Sequence, residues 1–163
     1  MVTKKMQTAL NKQLKLEQDS SYLYLSMSNW CVEQNLLGFA NWMKVQAGEE
    51  QEHAMKIYKF LQDNNVKVVL DNIDKPKASW KSPREMFENV LAHEQSITKS
   101  IHNLYTLAKS ENDYASEVML HWFINEQVEE EASANEVLQK IIMIGDKSTA
   151  IWWVDKELKK RGA

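Results

Sequence analysis

The motif Glu50-x-x-His53 places a carboxylate and an imidazole three residues apart in the stretch AGEEQEHAMK. Residues with this spacing share one face of an α-helix, so both side chains can reach a common ligand. Carboxylate oxygen and imidazole nitrogen suit borderline-hard metals such as iron and manganese, and zinc would also bind. Met43 and Ile57 lie seven residues on either side of Glu50. The motif is therefore expected on the buried face of its helix.

A second set of polar residues repeats the first at a fixed offset, because Glu94 follows Glu17 by 77 positions. The same offset relates four further pairs: Glu49 with Glu126, Glu50 with Gln127, Glu52 with Glu129, and His53 with Glu130. No general sequence similarity accompanies the offset, so the geometry of two helix pairs explains it better than a duplicated sequence. The two halves of the chain are expected to present matching polar sets at the same depth.

Four of these carboxylates occupy positions where core residues are expected from the heptad spacing: Glu17, Glu50, Glu94 and Glu130. A buried carboxylate costs several kcal/mol unless it is paired, protonated or bound to a metal ion. No Lys or Arg lies on the same helical lines near that level. Four negative charges would balance two divalent cations, with Glu50 as the natural bridge because it lies beside His53 and faces the opposing helix pair. The pattern predicts a dinuclear carboxylate site.

Five helical segments must position these ligands, and the periodicity predicts them at about 5–34, 39–64, 83–110, 114–143 and 147–160. Short breaks make the first and second helices antiparallel, and likewise the third and fourth. The connection 66–82 can span roughly 55–60 Å when extended, whereas a helix of about 26 residues is roughly 40 Å long. The connection can therefore run the length of the bundle and start the third helix parallel to the second. The prediction is an all-α four-helix bundle with one long crossover and a short fifth helix.

Composition is consistent with a single domain over residues 1–163. A net charge of −3 gives no indication of nucleic-acid binding. Cys31 is the only cysteine, which excludes a disulfide framework and a cysteine-based metal site. No apolar leader or membrane-length apolar run is present, so a cytoplasmic protein with no membrane partner is expected.

With these residues in place, the chain resembles the prokaryotic non-haem ferritins over essentially its whole length. The resemblance rests on the crossover bundle, the short fifth helix, and the ligand pattern Glu17, Glu50-x-x-His53, Glu94 and Gln127-x-x-Glu130. It implies a ferritin-like fold. Bacterioferritins and rubrerythrins have a second Glu-x-x-His where this chain has Gln127-x-x-Glu130. Gln51 stands where bacterioferritins have their haem-ligating methionine, so no haem is expected.

The resemblance also implies residue roles at a two-iron ferroxidase centre. Glu17, Glu50 and His53 would hold the first iron, and Glu50, Glu94 and Glu130 the second. Gln127 would hydrogen-bond to the centre or to bound oxygen. A third iron site would use Glu49, Glu126, Glu129 and Glu130. Tyr24 matches a tyrosine that the family is thought to use as an electron donor.

The function implied is iron storage, in which Fe(II) is oxidised by O2 or H2O2 and deposited as a ferric mineral inside a homo-oligomeric cage of 24 subunits. The apolar segment Ile151–Val154 is expected at a subunit interface around the four-fold axes, although folding back onto its own bundle is the alternative. Two other functions remain open on the residues alone. One is a di-iron oxidoreductase without a cage, and the other is a helical adaptor whose acidic residues are solvated.

Several other residues are not assigned to the site by the sequence. His93, His102 and His121 have no ligand partner at helical spacing and are predicted to be surface or structural histidines. Glu52 is predicted to face solvent, and Trp122 is predicted to contribute packing.

Overall fold

The computed structural model describes residues 2–145 and 148–162 of the 163-residue chain. Over those residues the chain forms five α-helices: α1 (Lys4–Glu33), α2 (Leu37–Asp63), α3 (Pro83–Ser110), α4 (Tyr114–Ile144) and α5 (Ser148–Leu158). The predicted fold class is confirmed, and the helix bounds agree with the predicted ones to within two residues. The predicted start of the fifth helix at residue 147 lies outside the described residues.

Side chains that precede α1 and α3 explain where these two helices begin. The hydroxyl of Thr3 accepts a hydrogen bond from the backbone N–H of Met6 at the start of α1. Ser82 does the same before α3, where Pro83 supplies a fixed φ at the first helical position. Each cap satisfies a backbone donor that would otherwise lack a partner within the helix.

Left-handed backbone conformations follow the ends of the first four helices. Asn35, Asn65 and Asn112 have φ values of 60°, 55° and 53°, and Gly145 has a φ of 69°. Asparagine and glycine tolerate this region better than other residues, so each gives an inexpensive helix stop. Asn35 lies in the short turn that makes α1 antiparallel to α2, and Asn112 lies in the one that makes α3 antiparallel to α4.

The connection between α2 and α3 follows the surface of α1. The Asn11 side chain donates to the carbonyl of Lys67 and accepts from the backbone N–H of Val69. Further along α1, Asp19 accepts from the backbone N–H of Asp74, and Ser26 donates to the carbonyl of Lys77. From residue 11 to residue 26 a helix rises about 22 Å, so the connection crosses much of the bundle. It delivers α3 at the same end as the start of α2, as predicted.

The bundle interior contains two apolar clusters with a polar layer between them. One cluster joins the C-terminal half of α1 and the N-terminal half of α2 to residues such as Phe87 and Val137. The other joins the opposite halves through residues such as Leu10, Ile57 and Ile101. Because α2 and α3 both run from the first cluster to the second, the two helices are parallel.

Helix α5 folds back onto its own bundle and fixes the start of α2. Val154 and Leu158 are buried against the first cluster. Asp155 Oδ1 accepts from the backbone N–H groups of Gly38 at 2.7 Å and Phe39 at 3.0 Å, and thereby caps α2. A Cβ atom on Gly38 would lie 1.6 Å from the Asp155 carbonyl oxygen, so only glycine fits there.

The other face of α5 remains open, with Trp152 54% exposed and Trp153 66% exposed. The segment Ile151–Val154 therefore folds back onto its own bundle, which was the alternative arrangement, and its place at a subunit interface stays a prediction. One face packs on its own bundle and the other is available. No helix in the described residues is both long and apolar enough to cross a bilayer.

Candidate metal centre

The polar layer between the two apolar clusters contains the predicted ligands. Six polar side chains from all four long helices are buried there: Glu17, Glu50, His53, Glu94, Gln127 and Glu130. The heptad positions placed each of them on the inner face of its helix, and the matched depths of the two helix pairs bring them to one level.

Glu17, Glu50 and His53 form the innermost group that could hold a metal ion. Each offers one ligand atom, and these atoms all lie within 4.8 Å of one another. His53 Nδ1 lies 3.3 Å from Glu50 Oε2. The Oε2 atom of Glu17 is buried and has no hydrogen-bond partner within residues 2–145 and 148–162. A buried acceptor left open in this way fits a site for a cation.

A second group comprises His53, Glu126 and Glu130, whose ligand atoms also lie within 4.8 Å of one another. His53 Nε2 is 4.0 Å from Glu126 Oε2, so the ring presents one nitrogen to each group. A neutral imidazole has only one lone pair for a metal ion. His53 can therefore ligate one ion and must donate its remaining N–H toward the other group.

Glu94 lies outside both groups in the described structure and is held by two side chains of the polar layer. Tyr24 donates its hydroxyl proton to Glu94 Oε1. Gln127 Nε2 donates to Glu94 Oε2 at 3.2 Å. Gln127 thus contacts the layer through a hydrogen bond, which is the kind of contact expected for it.

Gln46 is a buried residue of the site that the sequence pattern did not identify. Its Nε2 donates to Glu130 Oε2 at 2.6 Å and to Glu50 Oε1 at 3.3 Å, so one amide joins two carboxylates from different helices. Gln13 acts similarly on α1, because its amide donates to Glu17 Oε1 at 2.8 Å. Each glutamine precedes a core glutamate by four residues, and this spacing is the signal that could have indicated them.

An open cavity of about 460 Å³ adjoins the outer side of the layer. Its lining includes the remaining acidic residues of both helical motifs: Glu49, Glu52, Glu126, Glu129 and Glu130. Glu126 is half-buried, whereas Glu52 and Glu129 are exposed. Glu49 pairs with Arg161, a residue beyond α5, at 2.5 Å. The outer carboxylates therefore differ from one another in partner and in exposure.

Burial and mutual repulsion make the inner carboxylates hold protons more tightly than free glutamate. Burial first, and then the charge of Glu50, raises the pKa of Glu17 well above its ordinary value. Burial, with Glu94 and Glu130 nearby, raises the pKa of Glu50 in the same direction. Burial and the charge of Glu94 raise the pKa of Glu130 to about 7. A divalent cation would displace these protons and neutralise the repulsion.

The raised pKa of Glu130 predicts that the metal-free protein loses stability as the pH rises. Its pKa is about 7 when folded, compared with an ordinary value of 4.5, so the folded state binds more protons between these values. The contribution of Glu130 to the free energy of unfolding is fully present below its ordinary pKa of 4.5 and is lost as the pH rises through 7. The expected loss is roughly 2–3 kcal/mol between pH 5 and pH 8. Denaturant unfolding of chelator-treated protein at several pH values measures it.

Two variants of the same helix isolate the effect. Glu130→Gln should reduce the pH dependence, because the amide does not titrate, whereas the raised pKa values of Glu17 and Glu50 keep the remainder. Glu129→Gln, which changes an exposed neighbour, should leave it unchanged. Equal pH slopes in the two variants would contradict the assignment to Glu130.

The histidines outside the predicted ligand set occupy structural or surface positions. His93 Nε2 is 2.8 Å from the Ser20 hydroxyl, and its ring meets Tyr24 edge-on. His102 is exposed, and His121, also exposed, contacts the Tyr105 hydroxyl at 3.1 Å.

Trp122 packs edge-on against His53, with ring centroids 5.4 Å apart. Lys56 also contacts this indole, with its ammonium 4.0 Å from the ring centroid. The indole therefore packs against the His53 imidazole, in agreement with the packing role predicted for it.

Comparison with known proteins shows which proteins this chain is similar to in sequence and in structure. The family model described as "Ferritin-like domain" matches residues 7–144. The chain is 36% identical over 161 residues to a bacterial non-heme ferritin of Staphylococcus epidermidis, with 99% of this chain and 97% of that protein aligned. It is 38% identical to one of Bacteroides fragilis, which aligns over its full length. An open pore ferritin of Archaeoglobus fulgidus superposes with a TM-score of 0.97 at 43% identity, over 98% of each chain.

Proposed function

Since the chain belongs to the ferritin-like domain family, we propose that it is an iron-storage ferritin that oxidises Fe(II) within each bundle. The observation that carries the proposal is the buried polar layer itself. It contains four carboxylates and one imidazole, and the unpartnered Glu17 Oε2 lies among them. The relatives named as ferritins support iron as the metal.

We assign the first Fe(II) to Glu17, Glu50 and His53, which already form one ligand group. The second Fe(II) is assigned to Glu50, Glu94 and Glu130, with Glu50 shared between the two ions. Two observations support this second set. Gln46 donates to both Glu50 and Glu130, and burial together with the charge of Glu94 raises the pKa of both. A shared carboxylate reduces the number of ligand side chains that two cations need.

The chemistry transfers one electron from each of two Fe(II) ions. With O2 as the oxidant, two electrons and two protons yield H2O2, whereas with H2O2 they yield water. Anionic oxygen ligands favour Fe(III), because they stabilise the additional positive charge. Binding of Fe(II) also releases protons from the carboxylates whose pKa values burial has raised.

Two further roles belong to the same proposal. Glu49, Glu126, Glu129 and Glu130 are the ligands of a third iron site. This assignment is supported by the cavity that they line together and by the grouping of Glu126 and Glu130 with His53. Tyr24 is the electron donor, which its hydroxyl contact with Glu94 supports.

The product of oxidation is stored outside the bundle. We propose that Fe(III) hydrolyses to a mineral within a cytoplasmic cage of 24 identical chains, with the exposed tryptophan face of α5 at a contact between subunits. Two exposed tryptophans on one helix face form an apolar patch, and such patches mark contacts between proteins.

Anaerobic Fe(II) titration followed by O2 exposure tests the function. The expected result is two tightly bound Fe(II) per chain, weaker binding of a third, and rapid oxidation on mixing with O2. A tyrosyl radical signal by electron paramagnetic resonance during oxidation would support the role of Tyr24. A chain that binds no Fe(II) would be an adaptor instead, and a small assembly that oxidises bound iron would be a di-iron oxidoreductase without a cage.

A further inference from the structure

Arg161, which follows α5, brings a positive charge to the edge of the acidic cavity. Its Nη2 donates to Glu49 Oε2 at 2.5 Å and to Gln46 Oε1 at 2.8 Å. The predicted helical lines through the ligands contained no Lys or Arg. This contact therefore depends entirely on where the tail after α5, residues 159–162, lies. The guanidinium is therefore a second candidate partner for a carboxylate that would otherwise bind metal.

The tail is held along one face of α2, so the position of Arg161 is determined by several contacts. Asn41 Nδ2 donates to the carbonyls of Leu158 at 3.2 Å and Arg161 at 3.0 Å. The guanidinium carbon lies 4.2 Å from the centroid of the Trp42 ring, within the range of a cation–π interaction. Gly162 follows with a left-handed φ of 75°. These contacts make Arg161 an ordered counterion.

The same guanidinium determines how Gln46 faces the inner carboxylates. Because Gln46 Oε1 accepts from Arg161, its NH2 group is the end that points to Glu130 and Glu50. Arg161 thus contacts the outer carboxylate Glu49 directly and the inner layer through one amide. It touches none of the three ligands assigned to the first iron.

We propose that Arg161 is an intramolecular counterion at the third iron site. It pairs with Glu49 in the metal-free protein and thereby weakens binding of the third ion. The inference rests on the proposed function. A divalent ion bound by Glu49 and its neighbours meets the repulsion of the guanidinium and competes for the same carboxylate oxygens. The two inner ions lie behind Gln46 and are affected less.

The removal of this charge should tighten the third site selectively. Because the Arg161 side chain is 21% exposed and that of Glu49 is 40% exposed, solvent screens the pair. The expected change is a 3- to 10-fold lower Kd for the third ion, on the order of one partly exposed ion pair. The Kd of the first ion should change by less than about 2-fold, because Arg161 touches none of its three ligands.

Anaerobic titration with Co(II), followed by calorimetry and visible absorption, tests the inference without oxidation. Arg161→Gln should lower the third Kd, whereas Arg161→Lys, which keeps the charge, should stay closer to the unsubstituted chain. Lys160→Gln is the matched control, because it removes a charge from the exposed neighbouring residue. In a Glu49→Gln background, the effect of Arg161→Gln should become smaller, because the competition for Glu49 is gone and only the repulsion of the bound ion remains.

The outcomes separate this inference from the proposed function. A third Kd that is equal in Arg161→Gln and Lys160→Gln, or that rises in Arg161→Gln, would overturn the inference while the two inner ions still support the ferroxidase centre. A chain that binds no Co(II) in any variant would overturn both.

Discussion

Replacement of Glu50 by alanine is expected to reduce the rate of rapid Fe(II) oxidation by roughly 100-fold or more, while the folded bundle and its oligomeric assembly persist. Glu50 belongs to the group with Glu17 and His53 and is joined through Gln46 to Glu130. Its loss would therefore remove a ligand from both proposed iron positions. Even a residue that only orients a metal ligand contributes about 10- to 100-fold, so loss of the shared ligand should have at least the larger effect.

The folded state should tolerate this change. Burial and the charges of Glu94 and Glu130 raise the pKa of Glu50, which means that the ionised carboxylate is disfavoured where it lies. Its removal relieves repulsion within the metal-free layer and leaves a small cavity, and these two effects oppose each other. The thermal transition of the metal-free variant is therefore expected to stay close to that of the unsubstituted chain.

Stopped-flow absorbance and oxygen consumption measure the oxidation rate, and native mass spectrometry measures the assembly. Glu52→Ala provides the matched control, because Glu52 lies on the same helix two residues away and is exposed. It should oxidise Fe(II) at the unsubstituted rate. If Glu50→Ala also kept that rate, the bridging assignment would be wrong.

The double change Trp152→Asp and Trp153→Asp is expected to convert a large assembly into small species. The two indoles are 54% and 66% exposed although they lie in contact with each other. Burial of the exposed part of each would contribute roughly 2–4 kcal/mol at about 25 cal/mol per Å² of apolar surface. Because a symmetric assembly repeats its contacts, the loss recurs at every copy of the interface.

Native mass spectrometry gives a direct measurement, since 24 copies of a 19.0 kDa chain would have a mass of about 456 kDa. Circular dichroism would verify that the variant remains helical, because the buried face of α5 is unchanged. Lys160→Asp places a negative charge on an exposed residue of the same tail and should assemble normally. An unaltered mass for the double variant would exclude the tryptophan face as a subunit contact.

The two largest predictions also separate the alternative functions. A di-iron oxidoreductase without a cage would respond to Glu50→Ala but not to the tryptophan changes. An adaptor with solvated acidic residues would respond to neither in an iron assay. The burial of Glu17, Glu50 and Glu94 already argues against solvated acidic faces on these helices.

Periodicity and residue type were sufficient to predict the bundle and the carboxylates and histidine that it buries. The heptad positions of Glu17, Glu50, Glu94 and Glu130 require inward side chains on any helix that buries its apolar face. The length of the connection between α2 and α3 allowed a crossover along the bundle. Both inferences depend on local geometry, which a sequence specifies directly, and the structure shows the same helices and the same buried layer.

The partners of those ligands could be decided only by the tertiary structure. Arg161 reaches Glu49 across 112 positions of sequence, and Asp155 caps α2 across 117. No helical period relates such distant positions. The outer set was also less uniform than its spacing suggested, because Glu126 and Glu130 lie near His53, Glu49 pairs with Arg161, and Glu129 is exposed. The sequence by itself therefore determined which carboxylates and which histidine enter the polar layer, whereas tertiary packing, including that of α5 and its tail on α2, decided which charges and hydrogen-bond donors meet them there.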